Sequence, residues 1–407
     1  MKRKFVDFKV LTASLCCAVV MGVISFVFLK MLGLSSVFRE FFPYCIWFLP
    51  LSGMLTAFVY KKYGGESSKG NNLIIQSANE GVKVPKRLAV LTFFFTLLTH
   101  FSGGSAGREG TAVQIGGTLT SNVADKFGFK KEDRKTIILS GLSSAFGSVF
   151  GTPLAGAFFG MEVCCIGQLS ASAVIPCFLS SYLANAVTLL LGATHEVHTI
   201  ASVPNFDFKL IFIFVSASVF FGLLGKLFAL AVKYLKLLYA KIFKNTVLSA
   251  LAGSVVVTLL IILLNLNKYE GLSTWQQTTA FEGNANWYDM PVKFILTALT
   301  LGAGFQGGEV TPLFDIGASF GGWYANLFGI EPSFLAAIGL ICVFGSAANT
   351  PITTIMLGIE LFGAEAVPYF VFAILISFIA SGKSGIYSSQ ERKLSKSLFS
   401  AKADFSE

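Results

Sequence analysis

A carboxylate at a glycine-rich break in an apolar segment is the residue pattern in this chain with the clearest chemical use. Glu109 stands in Gly103-Gly-Ser-Ala-Gly-Arg-Glu-Gly-Thr111, directly after the apolar run Leu88 to Phe101. A helix break exposes backbone N–H groups and a positive helix end, which together form a ready anion site that a side-chain carboxylate can occupy in place of an ion. Competition between a protonatable side chain and a free anion gives exchange of that anion with protons. The bland alternative is an Arg108–Glu109 ion pair holding an interfacial loop, but acids inside apolar segments default to function. A second break, Gly302-Ala-Gly-Phe-Gln-Gly-Gly-Glu-Val-Thr-Pro312, offers Glu309 among glycines and before a hydroxyl and a proline. It adds backbone donors and a second titratable group, the alternative being an exposed loop acid. Neither break is a Walker phosphate loop, because the Gly-Lys-Ser/Thr ending is missing.

Other reactive residue types point nowhere in particular. His195-Glu196-Val197-His198 is one residue short of the His-Glu-x-x-His zinc spacing. All seven cysteines lie in or beside apolar stretches, where a thiol behaves as a small hydrophobe, so neither a disulfide framework nor a metal site is expected. No cofactor is implied. The 42 phenylalanines are expected to face lipid or to pack, and none is assigned to an ion path.

The elements that must position the two acids are membrane helices. Hydrophobic residues make up 54% of the chain and charged residues 13%, against about 25% charged in soluble domains. Uncharged or nearly uncharged runs recur at Val10 to Leu29, Phe41 to Tyr60, Leu88 to Gly107, Thr136 to Met161, Val163 to His195, Asn245 to Asn267 and Pro332 to Ile359. Each can cross a hydrocarbon core of roughly 30 Å. The first is read as a membrane helix and not as a signal peptide, because it exceeds the usual apolar region and lacks a clear cleavage site. Basic residues at Lys2 to Lys4 and at Arg392, Lys393, Lys396 and Lys402 favour cytoplasmic termini. The net charge of +9 arises between apolar runs, as in cytoplasmic loops, and implies no nucleic acid. The expected fold is an all-α polytopic membrane protein, a single transmembrane domain over residues 1–407 with short cytoplasmic termini, in the cell membrane.

An internal repeat organises it. Gly141 to Glu162 lies on Gly339 to Glu360 without gaps, with identities that include Phe146/Phe344, Gly147/Gly345, Thr152/Thr350, Pro153/Pro351 and Glu162/Glu360. A weaker match sets Gly107 to Thr111 on Gly308 to Pro312, each followed by Ile-Gly. Two related halves are expected, about 40–200 and 210–390. Paired, Gly/Pro-interrupted segments point to a transporter site between repeats. Similarity alone leaves their mutual orientation open, and simple duplication with packing glycines is the alternative. Glu162 and Glu360 are read as structural acids at helix ends, with a water-pathway role left open for Glu162.

Gly107-Arg108-Glu109-Gly110, the following Pro153-Leu-Ala-Gly156 and the Gly-Gly-x-x-x-Pro of 307–312 resemble the CLC family of anion channels and proton-coupled exchangers, in order and approximate spacing, from about Lys69 to Tyr387. The resemblance implies a homodimer with an anion pathway in each subunit and two inverted halves whose short, partly broken helices point their N-termini at the anion. It also implies an anion-binding set of Gly70, Asn71, Arg108, Gly110, Val310, Thr311 and Tyr387, with Glu109 as gate and proton coupler.

Departures from the chloride pattern are informative. Gly70-Asn71-Asn72-Leu73-Ile74 replaces Gly-Ser-Gly-Ile-Pro, Thr111 replaces a proline, and Glu309-Val310 stand where a bulky apolar residue and Phe are usual. The internal proton-accepting Glu of many chloride exchangers is Val163 here. These features are similar to the fluoride-exporting branch, in which Glu309 would be a second proton-coupling acid. Fluoride is smaller, more tightly hydrated and a stronger acceptor than chloride, so it calls for amide, hydroxyl and protonated carboxyl donors. The expected function is a fluoride/proton antiporter, a secondary active transporter and not an enzyme. Its expected partners are fluoride, protons, membrane lipid and a second copy. A chloride/proton exchanger or chloride channel is the alternative; an intramembrane hydrolase would need metal ligands that this chain lacks.

Overall fold

Apolar sequence under glycine and proline interruption folds here into helices of very unequal length. The computed structural model describes residues 7–205 and 207–392, and among them are sixteen α-helices. The first eight are α1 (Phe8–Phe41), α2 (Leu49–Val59), α3 (Asn71–Glu80), α4 (Arg87–Phe101), α5 (Glu109–Lys126), α6 (Lys131–Phe150), α7 (Pro153–Glu162) and α8 (Val174–Leu190). The rest are α9 (Phe208–Ile242), α10 (Thr246–Leu263), α11 (Trp275–Phe281), α12 (Asp289–Gly302), α13 (Val310–Phe328), α14 (Pro332–Ala348), α15 (Pro351–Phe362) and α16 (Val367–Ser381). A parallel pair of two-residue strands, β1 (Cys165–Ile166) and β2 (Glu391–Arg392), ties the chain beyond α16 to the chain after α7. Five helical segments among the described residues, α1, α9 and α10 included, are long and apolar enough to cross a membrane. At 34 residues α1 is about 50 Å long, more than the hydrocarbon core, and must tilt or protrude. The basic residues Lys2 to Lys4, Lys393, Lys396 and Lys402 lie outside the described residues.

Several single runs are two elements. The run 136–161 breaks where Gly151 turns left-handed (φ 76°) and Thr152 is non-helical before Pro153. The run 332–359 breaks identically, at Asn349 (φ 59°) and Thr350 before Pro351. A proline forces its predecessor out of the helical region and cannot continue a helix. In the run 163–195 the helix begins only at Val174, after β1 and a turn. Conversely α9 does not read as an uncharged run, because Lys209, Lys226 and Lys233 interrupt it.

The halves interlock by like residues. A Cβ on Gly116 would come within 2.4 Å of the Gly141 carbonyl oxygen, and one on Gly317 within 2.1 Å of that of Gly339, so α5 meets α6 as closely as α13 meets α14. Glu360, in the last turn of α15, accepts from the backbone N–H of Leu154 (2.9 Å) and Ala155 (2.8 Å) at the start of α7. Glu162, ending α7, accepts from those of Ile352 (3.0 Å) and Thr353 (2.7 Å) at the start of α15. Both acids are therefore structural caps, each serving the other half.

The far ends of α5 and α13 pack on different parts of the chain. The end of α5 packs through Ala124 on Val10, near the start of α1. The end of α13 reaches the loop after α11, where Asn326 donates to the Gly283 carbonyl, while in the preceding loop Glu270 pairs with Arg39 near the end of α1. α5 and α13 begin side by side, and their far ends meet different neighbours.

Candidate functional site

At that point the two breaks bond to one another. Gly107 N donates to Gly308 O (2.7 Å) and Gly308 N to Gly107 O (2.6 Å), an isolated antiparallel bridge between repeat mates. Side chains are excluded: a Cβ on Gly107 would lie 2.8 Å from Pro312 Cδ, and one on Gly308 2.8 Å from Gly110 N. Glycine is needed here for close backbone approach.

Glu109, in the first turn of α5, is fully buried. Its carboxylate turns to the other repeat. Oε2 accepts from the backbone N–H of Thr311 (3.2 Å) and from the Thr311 hydroxyl, and Oε1 pairs with Arg108 Nε (3.1 Å). The side chain thus sits on the first turn of α13, against its free N–H groups.

The remaining expected residues gather around the same point. A Cβ on Gly110 would meet Gly308 Cα (3.1 Å), Asn71 Nδ2 (3.2 Å) and Glu309 N (3.8 Å), so α3, α5 and α13 converge there. Gly70 precedes α3 in a left-handed conformation (φ 55°). Val310 is buried in the main core. Glu309 precedes α13 but caps nothing with its side chain, and its charge is within reach of Lys236. Tyr387, 4% exposed, lies within electrostatic reach of both Glu309 and Glu109, and Asn72 Oδ1 accepts from Ser389 N (3.0 Å), joining α3 to the chain just beyond that tyrosine. Thr111 points elsewhere, its hydroxyl bonded to that of Thr96 (2.7 Å).

Toward the face where α1 ends, Arg108 and Glu109 line a cavity of about 50 Å³ with His198, Thr311, Phe150 and Phe314. The last two place phenylalanines beside the gate, where none was assigned. His195 to His198 form irregular chain over this cavity: Glu196 accepts from the Thr274 hydroxyl (2.7 Å) and His198 stacks on Phe281. Among the described residues no cluster could hold a metal ion.

Sequence reasoning passed over a buried polar group close to this site. Lys293 of α12 and Asp315 of α13 are fully buried and paired at 3.5 Å. The ammonium also donates to the carbonyls of Gly271 (3.1 Å) and Leu272 (2.9 Å), and Gln277 donates to Asp315 Oδ1 (2.7 Å). The signal was available, since an ionisable residue in an apolar helix is a marker by itself. Gln114, one turn beyond Gly110, was also missed; its Nε2 would lie 3.3 Å from a Cβ on Gly70.

Comparison with known proteins adds four likenesses. The family model described as voltage gated chloride channel matches residues 52–382. A chloride/fluoride channel protein of Pseudomonas syringae pv. tomato is 38% identical over 92% of this chain and 84% of its own length. An H(+)/Cl(-) exchange transporter ClcA of Vibrio cholerae is 26% identical over 75% of this chain and 69% of its own. The crystal structure of a CLC-type fluoride/proton antiporter superposes with a TM-score of 0.91 at 34% identity, covering 96% of this chain and all (100%) of that one.

Proposed function

Because this chain belongs to the voltage gated chloride channel (CLC) family, we propose that it is a fluoride/proton antiporter, a secondary active transporter that exports fluoride from the cytoplasm against inward protons. The observation that carries the proposal is the seat of Glu109: its carboxylate takes the N–H and hydroxyl of Thr311 at the start of α13, where a free anion would bind. While ionised it competes with fluoride for those donors. Protonation removes its charge and weakens its hold on the helix end, so fluoride can replace it. One acid in one place then exchanges anion for proton.

Fluoride is favoured over chloride by the donors. Backbone N–H of Gly110, Val310 and Thr311, the Asn71 amide, the hydroxyls of Thr311 and Tyr387, and Glu309 when protonated form a set of strong hydrogen-bond donors. Arg108 holds Glu109 in its unprotonated position. Glu309 has no cap to form and serves as the second proton-coupling acid, on the side nearer Lys236. The second reading, a chloride/proton exchanger or chloride channel, draws on the Vibrio exchange transporters, which are 26% identical.

The protein is a multi-pass membrane protein. We place the face where α1 begins in the cytoplasm, because Lys61, Lys62, Lys83, Lys86, Lys130 and Lys131 lie in the connections and helix ends between α2 and α6. The proposed assembly is a homodimer in lipid, one pathway per subunit. Purified protein in liposomes, given fluoride and chloride gradients with proton movement followed by electrode, tests the function: fluoride flux above chloride flux with coupled proton uptake is expected, and equal or greater chloride flux would overturn it.

A further inference from the structure

Between α10 and α11, outside the membrane-spanning helices, Glu270 follows a short turn (Asn267–Tyr269). Its side chain is only 8% exposed, with Oε2 3.7 Å from Arg39 Nε. Oε1 is buried without a hydrogen-bond partner, an arrangement that a purely structural ion pair would not leave. The carboxylate presses on the segment leading to the gate, since a Cβ on Gly103 would lie 2.7 Å from Glu270 Oε2.

Glu270 lines a cavity of about 660 Å³ on the face where α1 ends, together with Arg39, Glu40, Lys268 and Arg108. Arg108, Glu196 and Thr274 also line the smaller cavity of about 50 Å³ that contains Glu109. The two spaces are therefore neighbours sharing a wall of polar side chains, and the smaller has room for a few waters at roughly 10–15 Å³ each by the same kind of measure.

We infer that Glu270 is the proton-loading group of the outer cavity, taking protons from external solution and passing them through cavity water to Glu109. The inference rests on the proton-coupled reading of the site. In the transfer the proton leaves the Glu270 carboxyl for a cavity water, a proton of that water chain reaches the Glu109 carboxylate, and the Glu270 carboxylate is reloaded from outside. No other group changes charge.

The surroundings suit the task. Burial pushes the Glu270 carboxyl up to about 7, against the opposing pull of Arg39. The charged and titratable groups around it are Arg39 and Glu40 from α1, Cys45 from the turn before α2, His100 from α4, Arg108 and Glu196 across the cavity, Lys268 from its own loop, and behind that loop Lys293 of α12, paired with Asp315. A carboxyl in this range is loaded at external pH below about 7 and empties above it, so proton supply to the gate should fall as the outside turns alkaline.

The test is the external-pH profile of fluoride-driven proton uptake in liposomes, with fluoride affinity measured by calorimetry. In Glu270→Gln the half-maximal point should move acid by about one pH unit or more, with fluoride affinity within about twofold, and Glu270→Asp should restore it. Arg39→Gln should move it the other way, because loss of the cation strengthens proton binding at Glu270. Superimposable profiles in Glu270→Gln and wild type, or an acid shift in Arg39→Gln, would overturn the inference. An infrared carboxylic-acid band titrating near neutrality, present in wild type and absent in Glu270→Gln, is independent of transport. Lack of that band removes the inference while leaving the antiport reading intact, whereas a wild type that moves fluoride without protons removes both.

Discussion

Glu109 and Glu309 stand at the starts of neighbouring helices yet are held differently, and the difference predicts how each fails. Glu109 is clasped by Arg108 and Thr311, so Glu109→Gln keeps its shape but loses the charge and the proton. Proton movement should vanish in liposomes, and fluoride transport with it, because Glu109 alone sits on the donors of the α13 N-terminus where the anion would bind. Fluoride-driven proton uptake surviving in that variant is incompatible with the gate described here. Glu309→Gln should lower or abolish turnover, where an idle loop acid would tolerate the change; wild-type rates with intact coupling would return it to that status. Tyr387→Phe should weaken fluoride binding by about 0.5–3 kcal/mol, the range for one hydrogen bond to a neutral or charged partner. Unchanged affinity by calorimetry would mean the hydroxyl does not reach the anion. These residues were legible because glycine around an acid in an apolar setting is rare. Lys293 and Asp315 carried a signal singly, as ionisable residues in apolar helices, but their pairing did not show, and Glu270 gave no local signal, since its partner Arg39 is on a distant helix.

At the scale of elements, the α7–α15 pair is the most exacting contact. Each helix is short, 10 and 12 residues, and each has its N-terminus capped by the acid in the last turn of the other. Charge-assisted bonds of this kind contribute about 1.5–3 kcal/mol each. Glu360→Gln is expected to lower the unfolding temperature while leaving fluoride affinity and proton coupling unchanged. Altered coupling with unaltered stability would instead put Glu360 on a proton route. The sequence showed these acids as repeat mates at helix ends, because Thr-Pro starts and a shared offset are local signals. It could not show that each caps the opposite half, since the same pattern suits a cap within its own half. Helix limits failed for physical reasons too: Lys226 and Lys233 are borne by a 35-residue helix without breaking it, whereas a single proline divides an otherwise uniform apolar run.

For the molecule as a whole, the proposed second copy needs an apolar face to meet. Ile175, Leu179 and Tyr182 of α8 and Phe372, Leu375 and Ile379 of α16 are exposed on the single chain. Subunit counting in lipid should find two copies, and Tyr182→Trp or Leu179→Trp should shift the population toward single, still active subunits if α8 lies in the contact. Activity lost in step with the shift would mean that each pathway needs its neighbour.

The bridge between Gly107 and Gly308 carries an ancestral implication. Because the bonded residues occupy the same place in each repeat, and the crossed caps of Glu162 and Glu360 do too, every one of these contacts is isologous: two identical half-length chains inserted in opposite orientations could have made them all. Fusion would then have added a connecting segment near residues 200–207 without inventing the seam. If so, that segment is dispensable as a covalent link, and residues 1–205 and 206–407 produced as separate chains in one cell should reassemble and bind fluoride. Failure of the two pieces to associate, when each is found in the membrane, would mean that the seam depends on the tether.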